Sequence, residues 1–324
     1  MNSKPNSGSD PRAPGEQPAG GIRIAVTGSS GLIGTAVVAA LRASGHRVIR
    51  LVRQTPASGD EIAWDPLAAG GGLAPGTLDG LDAAVHLAGA NVAGRRWTAA
   101  YKQEIRASRV MGTRALASAL ATAVPPPSVL LSGSAIGWYG DTGGREVDES
   151  SPAGSGFLPG VVTEWEAAAR RAEESGIRVV TMRSGLVMSR RGGVLARLLP
   201  PFRLGLGARL GSGRQVMSWI TLADYTAIVD FLLAHPEISG PVNLTTPHPV
   251  TNAEFTSALA AAVHRPGLLF LPGQALKLAL GEVTSDLLSS ARVMPRRLAA
   301  AGYEFRFPDL PGALAAELEG AGVS

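Results

Sequence analysis

Three glycines stand where a protein chain could hold a phosphate group. They are Gly28, Gly31 and Gly34 in the stretch AVTGSSGLIGTAV, between a short apolar segment and a segment with helical spacing. This spacing suits a sharp turn whose bare backbone approaches a pyrophosphate, and the helix that follows offers free N–H groups and positive potential. The pattern predicts a dinucleotide-binding loop, and the alternative is a structural glycine-rich turn.

An arginine follows the second strand-like segment, about 20 residues beyond the loop, where an acidic residue would bind the ribose of NAD. The text there is RLVRQ, which has no Asp or Glu and places Arg53 at this point. An arginine can pair with a 2′-phosphate through charge-assisted hydrogen bonds. The sequence therefore predicts NADP(H) as the cofactor, with a solvated arginine at a strand end as the alternative.

Strand-like and helix-like segments alternate from residue 22 to residue 185. The strand-like segments are IRIAV, HRVIRLV, DAAVHLAGA, PSVLLSGSA and IRVVTMRSG. The helix-like segments are GLIGTAVVAALRASGH, roughly residues 98–121, and VVTEWEAAARRAEESG, and Gly45 and Gly176 mark the ends of the first and the third. Such alternation predicts right-handed βαβ units and an α/β fold with a Rossmann-type, doubly wound parallel sheet.

The chain divides into three parts by composition. Residues 1–20 are rich in Pro, Gly and Ser with almost no apolar residue, which predicts a disordered tail. We expect residues 21–185 to form the NADP-binding Rossmann domain, with residues 215–240 returning to it through the helix-like stretch at 221–235. The alternation weakens after Gly185, and residues 186–214 and 241–324 are predicted to form a smaller C-terminal α+β lobe.

Composition and charge exclude several classes of function. The 324 residues include no cysteine, which excludes disulfides, thiolate metal sites and cysteine nucleophiles. The net charge is only +4 and no long run of like charges is present, so nucleic-acid binding is not favoured. No apolar run reaches the length of a membrane span, and no signal-like segment opens the chain. We therefore expect a cytoplasmic protein; the sequence leaves its oligomeric state open.

Several stretches together resemble the extended short-chain dehydrogenase/reductase superfamily. They are TGSSGLIG, HLAGA at 86–90 and SGSAIGWYG at 132–140. Four others resemble its branch of epimerase family proteins, which are similar to nucleoside-diphosphate-sugar epimerases and carry a C-terminal domain of undefined role. These are RRWTAAYKQEIRASR at 95–109, VVTEWEAAA, GSGRQVMSWITLAD at 211–224, and VMPRRLAAAGYEFRFPDLPGAL at 293–314. The resemblance covers residues 22 to about 318.

The resemblance implies NADP(H) and a set of cofactor contacts. Leu87 and Ala88 would lie under the cofactor, and Glu104, Arg109 and Arg183 match positions beside it. For Glu104 and Arg109 the alternative is a solvated helix face, and for Arg183 it is a buried ion pair. The contacts implied by position are Gly28, Ser30, Gly31, Leu32, Ile33, Gly34, Arg53, Leu87, Ala88, Glu104, Arg109 and Arg183.

One feature of the superfamily is missing. Its typical members use a Tyr as the proton shuttle, with a Lys four residues later that lowers the pKa of the phenol and holds the nicotinamide ribose. None of the four tyrosines of this chain is followed four residues later by Lys. By position, Phe157 stands near the Tyr position and Val161 near the Lys position, and neither can transfer a proton.

Other side chains are candidates for the missing chemistry. Ser134 matches the superfamily's carbonyl-binding Ser and is the candidate catalytic residue, with a buried, backbone-bonded Ser as the equal alternative. Tyr139 could replace the acid, although a packing turn is favoured, and His86 is expected to be a satisfied core histidine. The sequence does not distinguish the remaining candidate shuttles from solvated carboxylates: Asp141, Asp148, Glu164 and Glu166.

Two functions fit these observations. The favoured one is an NADP(H)-dependent oxidoreductase or epimerase acting on a small carbonyl or hydroxyl compound, including a sugar nucleotide. The six arginines of residues 190–214 would suit an anionic substrate, or form a basic solvated loop. The alternative is a non-catalytic regulatory protein that senses NADP(H), which the missing Tyr and Lys would explain.

Overall fold

A computed structural model describes residues 21–319 of the chain. The predicted disordered tail, residues 1–20, lies outside the described residues. The strands are β1 Arg23–Thr27, β2 Arg47–Val52, β3 Glu61–Ala63, β4 Ala83–His86, β5 Val129–Ala135, β6 Glu146–Val147, β7 Arg178–Ser184, β8 Leu186–Ser189, β9 Ala208–Leu210, β10 Val216–Met217, β11 Trp219–Thr221, β12 Gly240–Leu244, β13 Val250–Thr251, β14 Leu269–Leu271 and β15 Arg292–Val293. The α-helices are α1 Leu32–Ala43, α2 Ala99–Ala121, α3 Phe157–Arg170, α4 Gly193–Arg203, α5 Leu222–Ala234, α6 Asn252–Ala262, α7 Gly273–Leu280, α8 Val283–Leu287, α9 Arg296–Ala300 and α10 Leu310–Glu319.

The central element is a seven-stranded parallel sheet in the order β12-β7-β5-β4-β1-β2-β3. Successive residues of its strands face opposite sides, so a strand covered on both faces must be apolar throughout. Ile24 and Val26 pack with α1 and α5 on one face, and Ala25 packs with α2 on the other. This arrangement is the doubly wound, Rossmann-type α/β fold that the alternation of segments predicts.

Two helical segments end at Gly45 and Gly176, as the sequence predicted. Gly45 follows the first helix with φ +85°, and Gly176 has φ +76° after α3 and a short 3-10 turn at Arg171–Ser175. Both backbones lie in the left-handed region, which favours glycine and ends a helix. Because the strands of the central sheet are parallel, their carboxyl ends meet at one edge, where ligands of such folds bind.

The central sheet extends beyond the predicted boundary of the smaller lobe. Residues 241–244 were assigned to that lobe, yet they belong to β12, which pairs in parallel with β7 from Gly240 to Leu244. Val242 and Leu244 are fully buried in the core that α5 covers. Strand β3 at the other edge is a further element without a sequence-based prediction, because its three residues carry no clear alternation.

The smaller lobe is built from short two-stranded pairs and helices around a separate apolar cluster. Leu195, Phe202, Trp219, Phe255 and Leu314 form its centre. The buried Asp224 of α5 forms hydrogen bonds with the backbone of residues close to the C-terminal helix α10. Its carboxylate accepts hydrogen bonds from the backbone of Arg306 at 2.8 Å and of Phe307 at 3.1 Å.

Among residues 21–319, no helix combines the length and the hydropathy that a membrane span requires.

Candidate active site

The glycine loop forms the tight strand-to-helix turn that its spacing predicts. Gly28 has φ +66°, and a Cβ there would lie 2.6 Å from the carbonyl carbon of Leu87. At Gly34 a Cβ would lie 2.1 Å from the Gly28 oxygen, so neither position accepts a side chain. Gly31 differs: it has φ −77°, is exposed and precedes the first residue of α1 without a side-chain cap. The first N–H groups of α1 therefore remain available to an anion.

The residues around this turn leave it accessible to solvent. Ser30 is exposed like Gly31, whereas Leu32 and Ile33 are half-buried. Leu32 also lies against Gly192 of the smaller lobe. A Cβ added to Gly192 would be only 3.3 Å from the Leu32 methyl groups. The glycine turn thus faces solvent beside a point where the two parts of the molecule meet.

Arg53 immediately follows the last residue of β2 and is exposed. Its side chain has no hydrogen-bond or ion-pair partner within the described part of the chain. Arg50 on the same strand is already paired, donating to Glu61 at 2.9 Å and to the Ser29 hydroxyl at 3.2 Å. Of the two arginines, Arg53 is therefore the one with a guanidinium free to meet a phosphate.

The ends of β1 and β4 are joined by a buried hydrogen-bonded chain. Thr27 Oγ1 accepts from the backbone N–H groups of Leu87 at 3.1 Å and Ala88 at 3.2 Å, so its proton points to His86 Nδ1 at 2.7 Å. His86 Nε2 then donates to Thr113 at 2.9 Å. Burial, aided by the charge of Arg109, lowers the pKa of His86 to about 4. The ring is a neutral core histidine that fixes the loop at Leu87 and Ala88.

Ser134, at the end of β5, belongs to a buried polar network. Its hydroxyl donates to Glu166 Oε1 at 2.6 Å. Arg183 at the end of β7 donates to both oxygens of Glu166, from Nε at 2.8 Å and from Nη2 at 2.9 Å. Burial alone would lower the pKa of Arg183, but its hydrogen bonds and charge pairing with Glu166 raise it above the ordinary value. Both side chains of this ion pair are only 3% exposed.

The network continues into the second half of the chain. Arg183 Nη1 donates to the Tyr139 hydroxyl at 3.1 Å, and that hydroxyl donates to Asn243 Oδ1 at 2.8 Å. Burial raises the pKa of Tyr139 to about 12 despite the opposing charge of Arg183. Asn243 Nδ2 in turn donates to the Met294 carbonyl at 3.0 Å. The polar chain therefore runs from the end of β5 to the C-terminal region.

The start of α3 presents apolar side chains where the superfamily keeps Tyr and Lys. Phe157 packs edge-on against Trp97, with ring centroids 5.1 Å apart, and does not point along the face that carries Glu166. Leu158 and Val162 stand about two turns and one turn before Glu166 on that face, and both lie beside Gly137, just beyond β5. Val161 is buried. Neither helix face offers a proton donor at these positions.

Arg109 reaches the loop that follows β4. It donates to the Ala90 carbonyl at 3.0 Å, and its guanidinium lies 5.1 Å from the centre of the Trp165 ring. Burial lowers the pKa of Arg109 to about 10, and no carboxylate pairs with it among residues 21–319. Glu104 points elsewhere, exposed and 4.0 Å from the exposed Arg95. The structure thus brings Arg109, and not Glu104, next to the strand-end loops.

Glu166 is the site residue that sequence reasoning did not single out. It was grouped with three other carboxylates, of which Glu164 forms an ion pair with Arg106 on the surface. A signal was present, since Glu166 follows Val162 by four residues and precedes Ala169 by three, on the apolar face of the helix. A carboxylate on an apolar face is expected to be paired.

Fold and site together define a Rossmann-type, dinucleotide-binding class of protein. The sequence model described as the NAD dependent epimerase/dehydratase family matches residues 24–244. A second model, a domain of unknown function named DUF1731, matches residues 271–317. The chain therefore belongs to the epimerase/dehydratase family of extended short-chain dehydrogenases/reductases, as the resemblance of its motifs indicated.

Two relatives align with nine-tenths of this chain. An epimerase family protein of Mycobacterium bovis, Mb2239, is 49% identical over 90% of this chain and 96% of its own. The mouse epimerase family protein SDR39U1 is 39% identical over 90% of this chain and 98% of its own.

Solved structures show the same fold. The crystal structure of human epimerase family protein SDR39U1 with NADPH is 38% identical, with a TM-score of 0.85 over 92% of this chain and 99% of its own. A nucleoside-diphosphate sugar epimerase from Corynebacterium glutamicum is 36% identical, with a TM-score of 0.77 over 92% of this chain and 58% of its own.

Proposed function

We propose that this protein binds NADP(H) and uses it as an oxidoreductase on a small carbonyl or hydroxyl compound, with sugar nucleotides among the candidates. The observation that carries the cofactor assignment is the bare glycine turn followed, one strand later, by Arg53, which has no partner in the part of the chain that the structure describes. The human relative crystallised with NADPH supports the same assignment. When bound, the nicotinamide supplies or accepts the hydride.

The residues of the chain would hold this cofactor at three points. The exposed N–H groups at the start of α1 suit the diphosphate. Arg53 suits the 2′-phosphate, because a charge-assisted contact of this kind contributes about 1.5–3 kcal/mol. Arg109 is half-buried and pairs with no carboxylate among residues 21–319. It suits a negatively charged or hydroxyl-rich part of the cofactor beside Ala90.

Ser134 is the proposed contact of the substrate oxygen. Since its proton is donated to Glu166, the oxygen atom of Ser134 can accept a hydrogen bond from a substrate hydroxyl. The arginine-rich segment at residues 190–214 suits an anionic group on the substrate.

The experiment is a pair of titrations, NADPH and NADH, on the wild type and on Arg53→Ala. Wild type should prefer NADPH by at least about tenfold, the lower end of the range for one Arg–phosphate contact, because an exposed pair is partly screened. Arg53→Ala should lose most of this preference and keep its affinity for NADH.

Arg47→Ala is the matched control, since Arg47 is an exposed arginine at the opposite end of β2. It removes the same charge about 20 Å away, given about 3.3 Å per residue of strand. Equal affinities of the wild type for the two cofactors, or an equal effect of both substitutions, would refute the assignment.

A second candidate function is a sensor that binds NADP(H) without chemistry. The observation that favours it is the absence, at the described strand ends, of a proton donor that is not already hydrogen-bonded. Binding of NADPH without turnover of any carbonyl or sugar-nucleotide substrate would support the sensor.

A further inference from the structure

Two segments of the smaller lobe run side by side and form a two-stranded ribbon. Strand β9 pairs in parallel with β14 along the whole of each strand. At the start of the ribbon, the Leu269 N–H donates to the Gly207 carbonyl at 3.3 Å, and Arg265 Nε donates to the Arg203 carbonyl at 3.1 Å. The two chain segments that lead into these strands are therefore held next to each other.

Three leucines stand out from the start of this ribbon. Leu204, Leu206 and Leu268 are 74%, 56% and 88% exposed, and we call them the leucine tip. Single exposed apolar residues are ordinary on a protein surface, whereas a cluster of large ones marks a surface that binds a partner. Strand β14 is exposed at every residue, and because successive residues face opposite sides, the protein covers neither face of this strand. The leucine tip thus lies on a ribbon that projects from the smaller lobe.

The charges carried by the segments that form this surface are all positive. Residues 175–223 and 255–281 contain no Asp or Glu. Arg203 and Arg265 flank the leucine tip, Arg209 lies in β9, and all three are exposed. None of the three forms an ion pair with a carboxylate in the part of the chain that the structure describes. The surface therefore combines protruding apolar side chains with cations that still have room for an anionic partner.

We propose that the leucine tip docks this protein on the surface of a membrane that contains anionic lipids. The leucine side chains enter the boundary between the headgroups and the acyl chains, where burial of their apolar surface favours binding. The arginines place their alkyl stems along the same boundary and keep their guanidinium groups at the lipid phosphates. The protein then lies on the membrane and does not span it. This docking is independent of the cofactor and the reaction proposed above.

Charge and shape favour a membrane over a second copy of the chain. A symmetric dimer through this surface would bring the same patch of both copies together, and with it the arginines of both copies. Like charges brought together in this way oppose association. The leucines protrude and do not line a groove, which suits a fluid apolar medium that needs no pocket of matching shape.

Sedimentation of the full chain with lipid vesicles tests the proposal. The wild type should bind vesicles of phosphatidylglycerol and phosphatidylcholine at least about tenfold more tightly than vesicles of phosphatidylcholine alone. Each arginine near an anionic surface typically strengthens binding by about fivefold, so three arginines justify this lower bound. Binding to the mixed vesicles should weaken as the salt concentration rises, because salt screens exposed charges.

Substitutions of exposed residues separate the leucine tip from the rest of the surface. Leu204→Ala together with Leu268→Ala should weaken binding to the mixed vesicles at least about tenfold, since each buried CH₂ contributes about fourfold. Arg203→Ala should weaken it about fivefold. Leu67→Ala and Arg114→Ala are the matched controls, because both residues are exposed in the Rossmann domain, and they should bind as the wild type does. An unchanged melting temperature shows that each variant is folded.

The outcomes decide between a membrane and the other partners. Binding that depends on phosphatidylglycerol and is lost only in the variants of the smaller lobe would support the proposal. Binding to neither kind of vesicle, equal binding to both, or an equal loss in the control variants would overturn it. A wild-type dimer in analytical ultracentrifugation that Leu268→Ala converts to a monomer would also overturn it, because the leucine tip would then be an interface between two copies.

Discussion

Two glutamates of α3, two residues apart, should differ greatly in what they contribute to stability. Glu166 forms a bidentate ion pair with Arg183, with both side chains 3% exposed. Glu164 forms an ion pair with Arg106 in which the side chains are 40% and 50% exposed. Glu166→Gln leaves the buried Arg183 charge without its counter-charge, which typically costs about 3–5 kcal/mol. Glu164→Gln breaks an exposed pair, which typically costs about 0–1 kcal/mol.

Urea unfolding followed by far-UV circular dichroism measures both variants against the wild type. The two substitutions share the helix, the chemistry and the change of charge, so the difference between them isolates burial. Glu166→Gln should lower the free energy of unfolding by at least about 2 kcal/mol more than Glu164→Gln, the gap between the two ranges. Equal costs would show that Glu166 is hydrated and that the network at Ser134 is not the buried ion pair described above.

Two other predictions follow from the cofactor loop and from the core. Gly31→Val should abolish NADPH binding, measured by Trp fluorescence, while circular dichroism stays native, because the φ of −77° tolerates a side chain that nevertheless covers the exposed start of α1. His86 has its pKa lowered from 6.5 to about 4, so its contribution to stability is complete above pH 6.5 and is lost as the pH falls through about 4. This loss amounts to about 3 kcal/mol, and urea unfolding at neutral and acidic pH should show a smaller decline for His86→Gln than for the wild type.

The sequence predicted the features that depend on local chemistry. The alternation of segments predicted the parallel sheet, and the glycines at 45 and 176 predicted the ends of two helices, because each needs only a period or a backbone angle. The turn at residues 28–34 was predicted in the same way, from the spacing of its glycines. The prediction that His86 is a satisfied core histidine is also confirmed, since both ring nitrogens have threonine partners.

The sequence did not predict which residues far apart in the chain would contact each other. Glu166 becomes a site residue only because α3 packs against the sheet where β5 and β7 end, and 32 positions separate it from Ser134. The assignment of residues 241–244 to the smaller lobe was wrong because a short apolar strand after a helix can either close the main sheet or open a new lobe. Only the neighbouring β7 decides this, through the pairing of Asn243 with Arg183.

The C-terminal region packs against the residues that surround the candidate site, and residues 291–294 form hydrogen bonds with them. Ser218 donates to the Ala291 carbonyl at 2.8 Å and accepts from the Val293 N–H at 2.9 Å, and Thr245 donates to the Val293 carbonyl at 3.1 Å. Asn243 binds the next residue, Met294, while its other side-chain atom receives the Tyr139 proton. A shift of residues 291–294 would therefore break polar bonds in the same chain that holds Arg183 and Glu166 under Ser134. Because buried polar groups lose stability when a partner moves away, the C-terminal region and the strand ends must hold their geometry together.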